Sequence, residues 1–166
     1  QQKERMISLN SKKFSKLSIE YFSSQVILED EPYSEDCGNI KRPNHDLVIG
    51  SFACLRKKKD DFILVMIAYP TDDNRWVVYD AAPTDGTIIT YTAKPHMIFP
   101  MTTSLPSKLG TELELGVGDR VLSLWREDET SIWTTQFYYG TIIENPQQRG
   151  QGYKIRFDED QSEELV

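Results

Sequence analysis

Cysteine and histidine are scarce in this sequence: Cys37, Cys54, His45 and His96 are the whole supply in 166 residues. Two cysteines build no disulfide framework, and neither histidine has a cysteine or carboxylate at ligand spacing, so no metal site is expected. Long apolar runs are missing as well. Nothing approaches the ~20 residues of a membrane span, and no signal-peptide pattern is present. Gly-x-Ser-x-Gly and phosphate-cradling glycine loops are absent. Carboxylates are plentiful, but none sits in an apolar run where burial would raise its pKa toward general-acid work. The sequence therefore points to no catalytic residue and no cofactor, and an enzyme reading finds no support. Bases are outnumbered, 19 against 26 acids, for a net charge of -7. Affinity for nucleic acid rests on Lys and Arg neutralising phosphates, so direct nucleic-acid binding is not expected and a basic peptide is the easier partner. An acidic surface also simply keeps a protein soluble.

What remains is a modestly hydrophobic chain, 39% apolar and 11% aromatic, with a mean hydropathy of -0.50. That suits one medium globular domain or two small ones. The sequence opens on Gln1, not Met, so residues upstream are expected. Phe14, Leu17, Tyr21 and Phe22 recur at spacings of three, four and one, which predicts a short amphipathic helix over residues 11–24 with Ser11 as its cap. Residues 25–46 turn polar and acidic and read as a linker or an extended strap.

From Leu47 the pattern changes to short runs rich in β-branched and aromatic residues, over 51–56, 62–69, 76–79, 87–91 and 97–100. Turn residues separate them at 57–61, 70–74 and 83–86. After a connector with Pro106 and several glycines, three further strands are expected at 121–125, 134–143 and 153–157. Both series open after a glycine and continue into a long second strand, which suggests a tandem of small barrels. The expected organisation is an N-terminal helix and acidic linker over 1–46, a first barrel over 47–102, and a connector with a second barrel over 103–166. A fifth strand for the second barrel is not evident.

Trp125, Tyr138 and Phe157 stand where such a barrel opens, beside the acidic run Asp158, Glu159 and Asp160. Aromatic faces flanked by carboxylates make a receptor for a methylated ammonium, because the ring quadrupole attracts a cation stripped of its hydrogen-bond donors. Strand alternation puts Leu122 and Leu124 on one face and Trp125 on the other. Phe157 shares its face with Ile155 and Tyr138 with Ile142, so alternation alone makes these two core before it makes them cage. Composition and spacing indicate a binding module and leave its ligand open.

The residues Val121, Leu122, Ser123, Leu124 and Trp125, then Thr134, Thr135, Phe137 and Tyr138, then Ile155 to Asp160 resemble the second Tudor domain of the SAGA-associated factor twenty-nine family. The first half resembles that family's first Tudor domain, with Val48, Ile49, Gly50 and Ser51 at its start and Trp76 to Asp80 on its third strand. The resemblance implies an all-β fold of two SH3-like five-stranded barrels packed together, preceded by a short helix. It also implies a nuclear reader of the histone H3 amino terminus, di- or trimethylated on its fourth residue, a lysine, within the SAGA acetyltransferase complex. Carried over by position, the cage falls on Trp125, Tyr138 and Phe157, with Thr135 and Glu159 as peptide contacts. Asp80 takes the role of the acid that holds the free amino terminus. The second acid of the pair falls on Ala82, which leaves Asp85 to compensate. Residues 126–131 lengthen a loop relative to the family and bring in Trp133 as a rival cage wall. Two other readings stay open: a Tudor module for dimethylarginine, and a scaffold subunit whose aromatics are core.

Overall fold

The structure, a computed structural model, describes residues 23–43, 46–82, 86–101, 115–148 and 151–160. Strands dominate these residues, and they form two sheets, so the fold is all-β with the two-sheet, Tudor-like plan that the resemblance implies. The first sheet is built around a hairpin of β2 (Phe52–Lys58) and β3 (Asp61–Pro70). Its tight turn places Asp60 at φ 58, a left-handed conformation that aspartate tolerates because its short side chain bonds locally. β4 (Trp76–Asp80) and β5 (Ile88–Ala93) continue the antiparallel meander. A 3-10 turn at Pro95–Met97 then returns the chain to the far edge of β2 as β6 (Ile98–Pro100). Bulges in β2 and β3 supply the bends that such a small, curled sheet requires.

The remaining edge of this sheet is covered from upstream. Ser23–Ile27 forms β1 and pairs parallel with β5, Val26 opposite Tyr91. The helix expected over 11–24 is corrected at its end, where Ser23 and Ser24 are extended; the rest of it lies outside the described residues. The physical reason is the free β5 edge, whose unpaired backbone groups outweigh a weak local helical preference. The stretch expected as linker or strap carries one helical turn, α1 (Glu35–Gly38), capped by Ser34, whose Oγ accepts from the Cys37 N–H at 3.2 Å.

Two cores divide the interior by strand alternation. Ala53, Leu55, Val65, Ile67, Val78, Tyr91 and Ile98 fill the inner face of the first sheet, joined by Leu28 from the strap. Cys54, Phe62 and Phe99, on the opposite face, pack with Cys37, Ile40 and Phe137, and with Leu122, Leu124 and Tyr139 at the margin. β2 is therefore buried on both faces. Arg56 shares this burial, fully enclosed; its guanidinium donates to the Glu31 and Pro32 carbonyls and lies 4.6 Å from the Tyr33 ring centroid. Arg42 lies 3.9 Å from the Phe99 ring centroid, and Asp30 bonds Lys94 at 2.8 Å and His96 at 2.7 Å. Two carbonyls and an aromatic face thus engage the buried cation, while its Nε has no hydrogen-bond partner among the described residues.

The second sheet comprises β7 (Arg120–Ser123), β8 (Tyr138–Glu144) and β9 (Lys154–Phe157), all antiparallel. Gly140 permits the close approach of β9, because a Cβ there would fall 2.5 Å from Ile155 Cγ2. All three expected strands are shorter than predicted, β9 by one residue. β7 ends at Ser123 and β8 begins at Tyr138, because residues 135–137 turn away to pair with β3 instead. Arg120 grips Asp158 through both guanidinium nitrogens, at 2.5 and 2.6 Å, and so ties β7 to the end of β9.

That fork holds the Asp158 carboxyl below the usual carboxylate range. A depressed folded-state pKa stabilises the protein above the unfolded value of ~3.9 and loses that contribution as pH falls through the folded one. Asp158→Asn is expected to cost about 1 kcal/mol or less at pH 7, since the pair is partly exposed. Thermal melts should show the gap between variant and parent closing from pH 5 to pH 3. A gap independent of pH would remove the ion pair as its cause.

Candidate functional site

The segment that carries Trp125 and Trp133 is a loop closed at its base. Thr134 N–H donates to the Trp125 carbonyl at 2.8 Å, and Trp125 N–H donates to Thr134 Oγ1 at 2.9 Å. Thr134 Oγ1 passes its own proton to the Gln136 carbonyl at 2.9 Å. Within the loop, Asp128 accepts from the backbone and hydroxyl groups of Thr130 and Ser131 at 2.7 to 3.0 Å. These bonds, the Thr130 hydroxyl first, hold its carboxyl down to about 2, so the loop keeps this turn at any ordinary pH. Arg126 reaches back to the Glu129 carbonyl at 3.3 Å and lies 4.5 Å from the Trp133 ring centroid.

Register then decides which rings face together. Leu122, Leu124, Phe137 and Tyr139 pack toward the first sheet, and alternation within β7 and β8 turns Ser123 and Tyr138 the other way. Ser123 stands opposite Tyr138, and Phe157 stands opposite Gly140, two residues along β8. Directly opposed residues share a face, so Tyr138 and Phe157 are diagonal neighbours on the Ser123 side. Asp158 N–H donates to the Tyr139 carbonyl at 3.1 Å, and the chain then turns through Asp158 and Glu159, closed by Asp160 N–H donating to the Phe157 carbonyl at 3.2 Å. Trp125 is 43% exposed and Trp133 50%; one face of Trp133 already carries the Arg126 guanidinium. Of the acidic run, Asp158 is engaged by Arg120, and Glu159 and Asp160 are exposed.

A cavity of about 660 Å³ lies between the sheets, lined by Cys54, Leu64, Phe99, Leu122, Leu124 and Phe137 among others. Trp133, Thr134 and Thr135 reach it, but Trp125, Tyr138 and Phe157 do not. The apolar cavity is therefore a different place from these three rings. Among the described residues no group of three or more His, Cys, Asp or Glu is placed to hold a metal ion.

On the first sheet, Asp80 ends β4 and its Oδ1 accepts from the Ala82 N–H at 2.9 Å. Asp85 lies outside the described residues. The two halves meet along β3, and one residue there is bonded from both sides. Leu64 accepts from the Ala81 N–H at 3.0 Å and donates to the Thr135 carbonyl at 2.7 Å. β4 covers the edge of β3 from Val65 onward, and the segment around Gln136 covers the part before it. Asp60 adds a second tie, accepting from Tyr139 Oη at 2.7 Å and from Ser34 Oγ at 3.1 Å. Burial first, then the Asp60 carboxylate, pushes the Tyr139 phenol well up. Leu64, Asp60 and Thr134 escaped sequence reading, since their partners are distant in the chain or are backbone atoms. The paired threonines before Phe137 were the available signal for Thr134.

The family model described as SGF29 tudor-like domain matches residues 51–165, most of the chain. The chain belongs to this family. No curated protein matches it. As an SGF29 tudor-like chain it is a Tudor-type chromatin reader. The match takes in β2 to β9 and leaves β1 and α1 outside. Its partners are thereby of the chromatin kind.

Proposed function

We propose that this chain binds the amino terminus of histone H3 di- or trimethylated at the lysine in fourth position, and thereby holds a SAGA-type acetyltransferase complex on chromatin in the nucleus. The meeting of both halves at Leu64 is the observation that carries this reading. Ala81 N–H and the Thr135 carbonyl bond the same residue, so these two atoms lie at most about 10 Å apart, given the bond lengths within one residue. An extended peptide covers ~10 Å from its first residue to its fourth. Asp80, one residue before Ala81, pairs with the peptide's α-amino group through the oxygen not used by Ala82. Trp125, Tyr138 and Phe157 take the methylammonium, with Thr135 and Glu159 beside the peptide. On this reading the two segments that bond Leu64 hold the anchors at one separation, and the site selects a methyl-lysine at one distance from a free terminus. A few cation–π contacts of ~0.5–2 kcal/mol each with one exposed ion pair suit an affinity near micromolar. Other subunits of the complex add effective concentration.

Calorimetric titration with H3 amino-terminal peptides, unmodified or trimethylated at the fourth residue and each with a free or acetylated terminus, tests both anchors. Trimethylation is expected to tighten binding and acetylation to weaken it about tenfold or more, the scale of one ion pair to a charged terminus. Equal affinity for all four peptides would remove the two-anchor reader. The Arg126 guanidinium against Trp133 favours one competing reading, a dimethylarginine receptor, since an indole here already accommodates a planar cation. A dimethylarginine peptide that outcompetes the trimethylated one would establish it.

A further inference from the structure

We infer that Thr134 is the positioning residue of the cage: it holds Trp125 in place while itself contacting no ligand, an assignment that rests on the reader proposed above. Trp125 lies beyond the end of β7, where the ladder to β8 has stopped. A side chain there has no strand neighbour to fix its backbone, and an aromatic wall that swings loses the geometry a cation needs. Thr134 replaces the missing strand pairing. Its N–H and Oγ1 engage the carbonyl and N–H of Trp125, at 2.8 and 2.9 Å, as an opposing strand residue would with its own backbone. The hydroxyl proton is committed to the Gln136 carbonyl at 2.9 Å, which orients the oxygen lone pair toward Trp125. Gln136 in turn bridges to Ile63 of β3, and Thr135 and Phe137 bond Leu64 and Phe62. The position of the Trp125 backbone is thus referred, through the hydroxyl and the N–H of Thr134, to the first sheet, where Asp80 stands. The same hydroxyl closes the base of the loop over residues 126–133, so the loop's length does not loosen its first residue.

Thr134→Val keeps the shape and the backbone bond but removes the hydroxyl, and Thr134→Ser restores it. Titrations of the full chain with the trimethylated and unmodified H3 peptides are expected to show the valine variant losing about tenfold of the trimethyl preference. Its affinity for the unmodified peptide should stay within twofold of the parent, and the serine variant should recover the preference. Hydrogen exchange of the Trp125 amide, read without ligand, should accelerate at least tenfold in Thr134→Val and not in Thr134→Ser. A valine variant with the parent's trimethyl preference and the parent's Trp125 exchange rate would overturn the assignment. If the parent itself does not distinguish the peptides, the reader of the preceding subsection fails, and the exchange rates still decide whether Thr134 holds Trp125.

Discussion

Trp125→Ala is expected to weaken binding of the trimethylated H3 peptide about 30-fold, the effect of losing one well-desolvated cation–π face of ~2 kcal/mol. The fold should survive, because Trp125 is exposed and contributes to neither core. Affinity for the unmodified peptide should change little, which separates loss of a cage wall from general damage. Tyr138→Ala is expected to act in the same sense. Trp133→Ala supplies the contrast: its ring holds Arg126, so its removal costs the loop a stack and leaves methyl discrimination nearly intact. If Trp133→Ala abolishes discrimination and Trp125→Ala does not, the cage is lined by the other indole and the assignment of Trp125 to it is wrong. Unfolding in both Trp125→Ala and Tyr138→Ala, by circular dichroism, would favour the scaffold reading.

The largest stability loss is expected from Phe62→Ala, about 3–5 kcal/mol, in line with emptying a fully buried aromatic site. Phe62 is 1% exposed. Its ring meets Phe99 edge-on at 6.0 Å and Tyr139 at 5.4 Å, and its carbonyl accepts the Phe137 N–H at 2.9 Å. One side chain therefore serves both sheets. Phe62→Leu, which keeps most of the volume, should lose about 1.5 kcal/mol or less if the site repacks. Urea unfolding followed by tryptophan fluorescence and by far-ultraviolet dichroism should give one coincident transition shifted to lower denaturant. Two separated transitions in the parent, with only one of them moved by Phe62→Ala, would show that the sheets do not unfold as a unit.

The hairpin and meander of the first sheet were legible because alternation, β-branched runs and turn residues all agree there: Asp60 and Asn74 sit at positive φ in turns expected from their composition. β1 was not legible. Its two apolar residues, Val26 and Ile27, follow a helical-looking run, and what makes it a strand is the β5 edge more than sixty residues downstream. Arg56 read as the polar end of a strand, and only the fold supplies the carbonyls that let it be buried. The segment before Tyr138 looked like continuous strand because Thr134, Thr135 and Phe137 have the right propensities; it is diverted by an open stretch of β3, a non-local competitor. Among the site residues, the shared face of Tyr138 and Phe157 follows from alternation plus register. The first was available in the sequence and the second was not. Asp158 looked like part of an acidic lure for peptide and is instead occupied by Arg120, a partner that only pairing of β7, β8 and β9 brings near.

Burial of Arg56 under the strap also sets where a usable recombinant fragment has to start. A clone cut at the first residue of family similarity, Ser51, would omit Glu31, Pro32 and Leu28 together with all of β1. The protein made from it would lose the strap that covers Arg56 and the first core, and would leave apolar surface and a bare β5 edge inviting intermolecular pairing. Expression trials guided by alignment alone would then report an insoluble domain, although the fault lies in the cloning boundary and not in the fold.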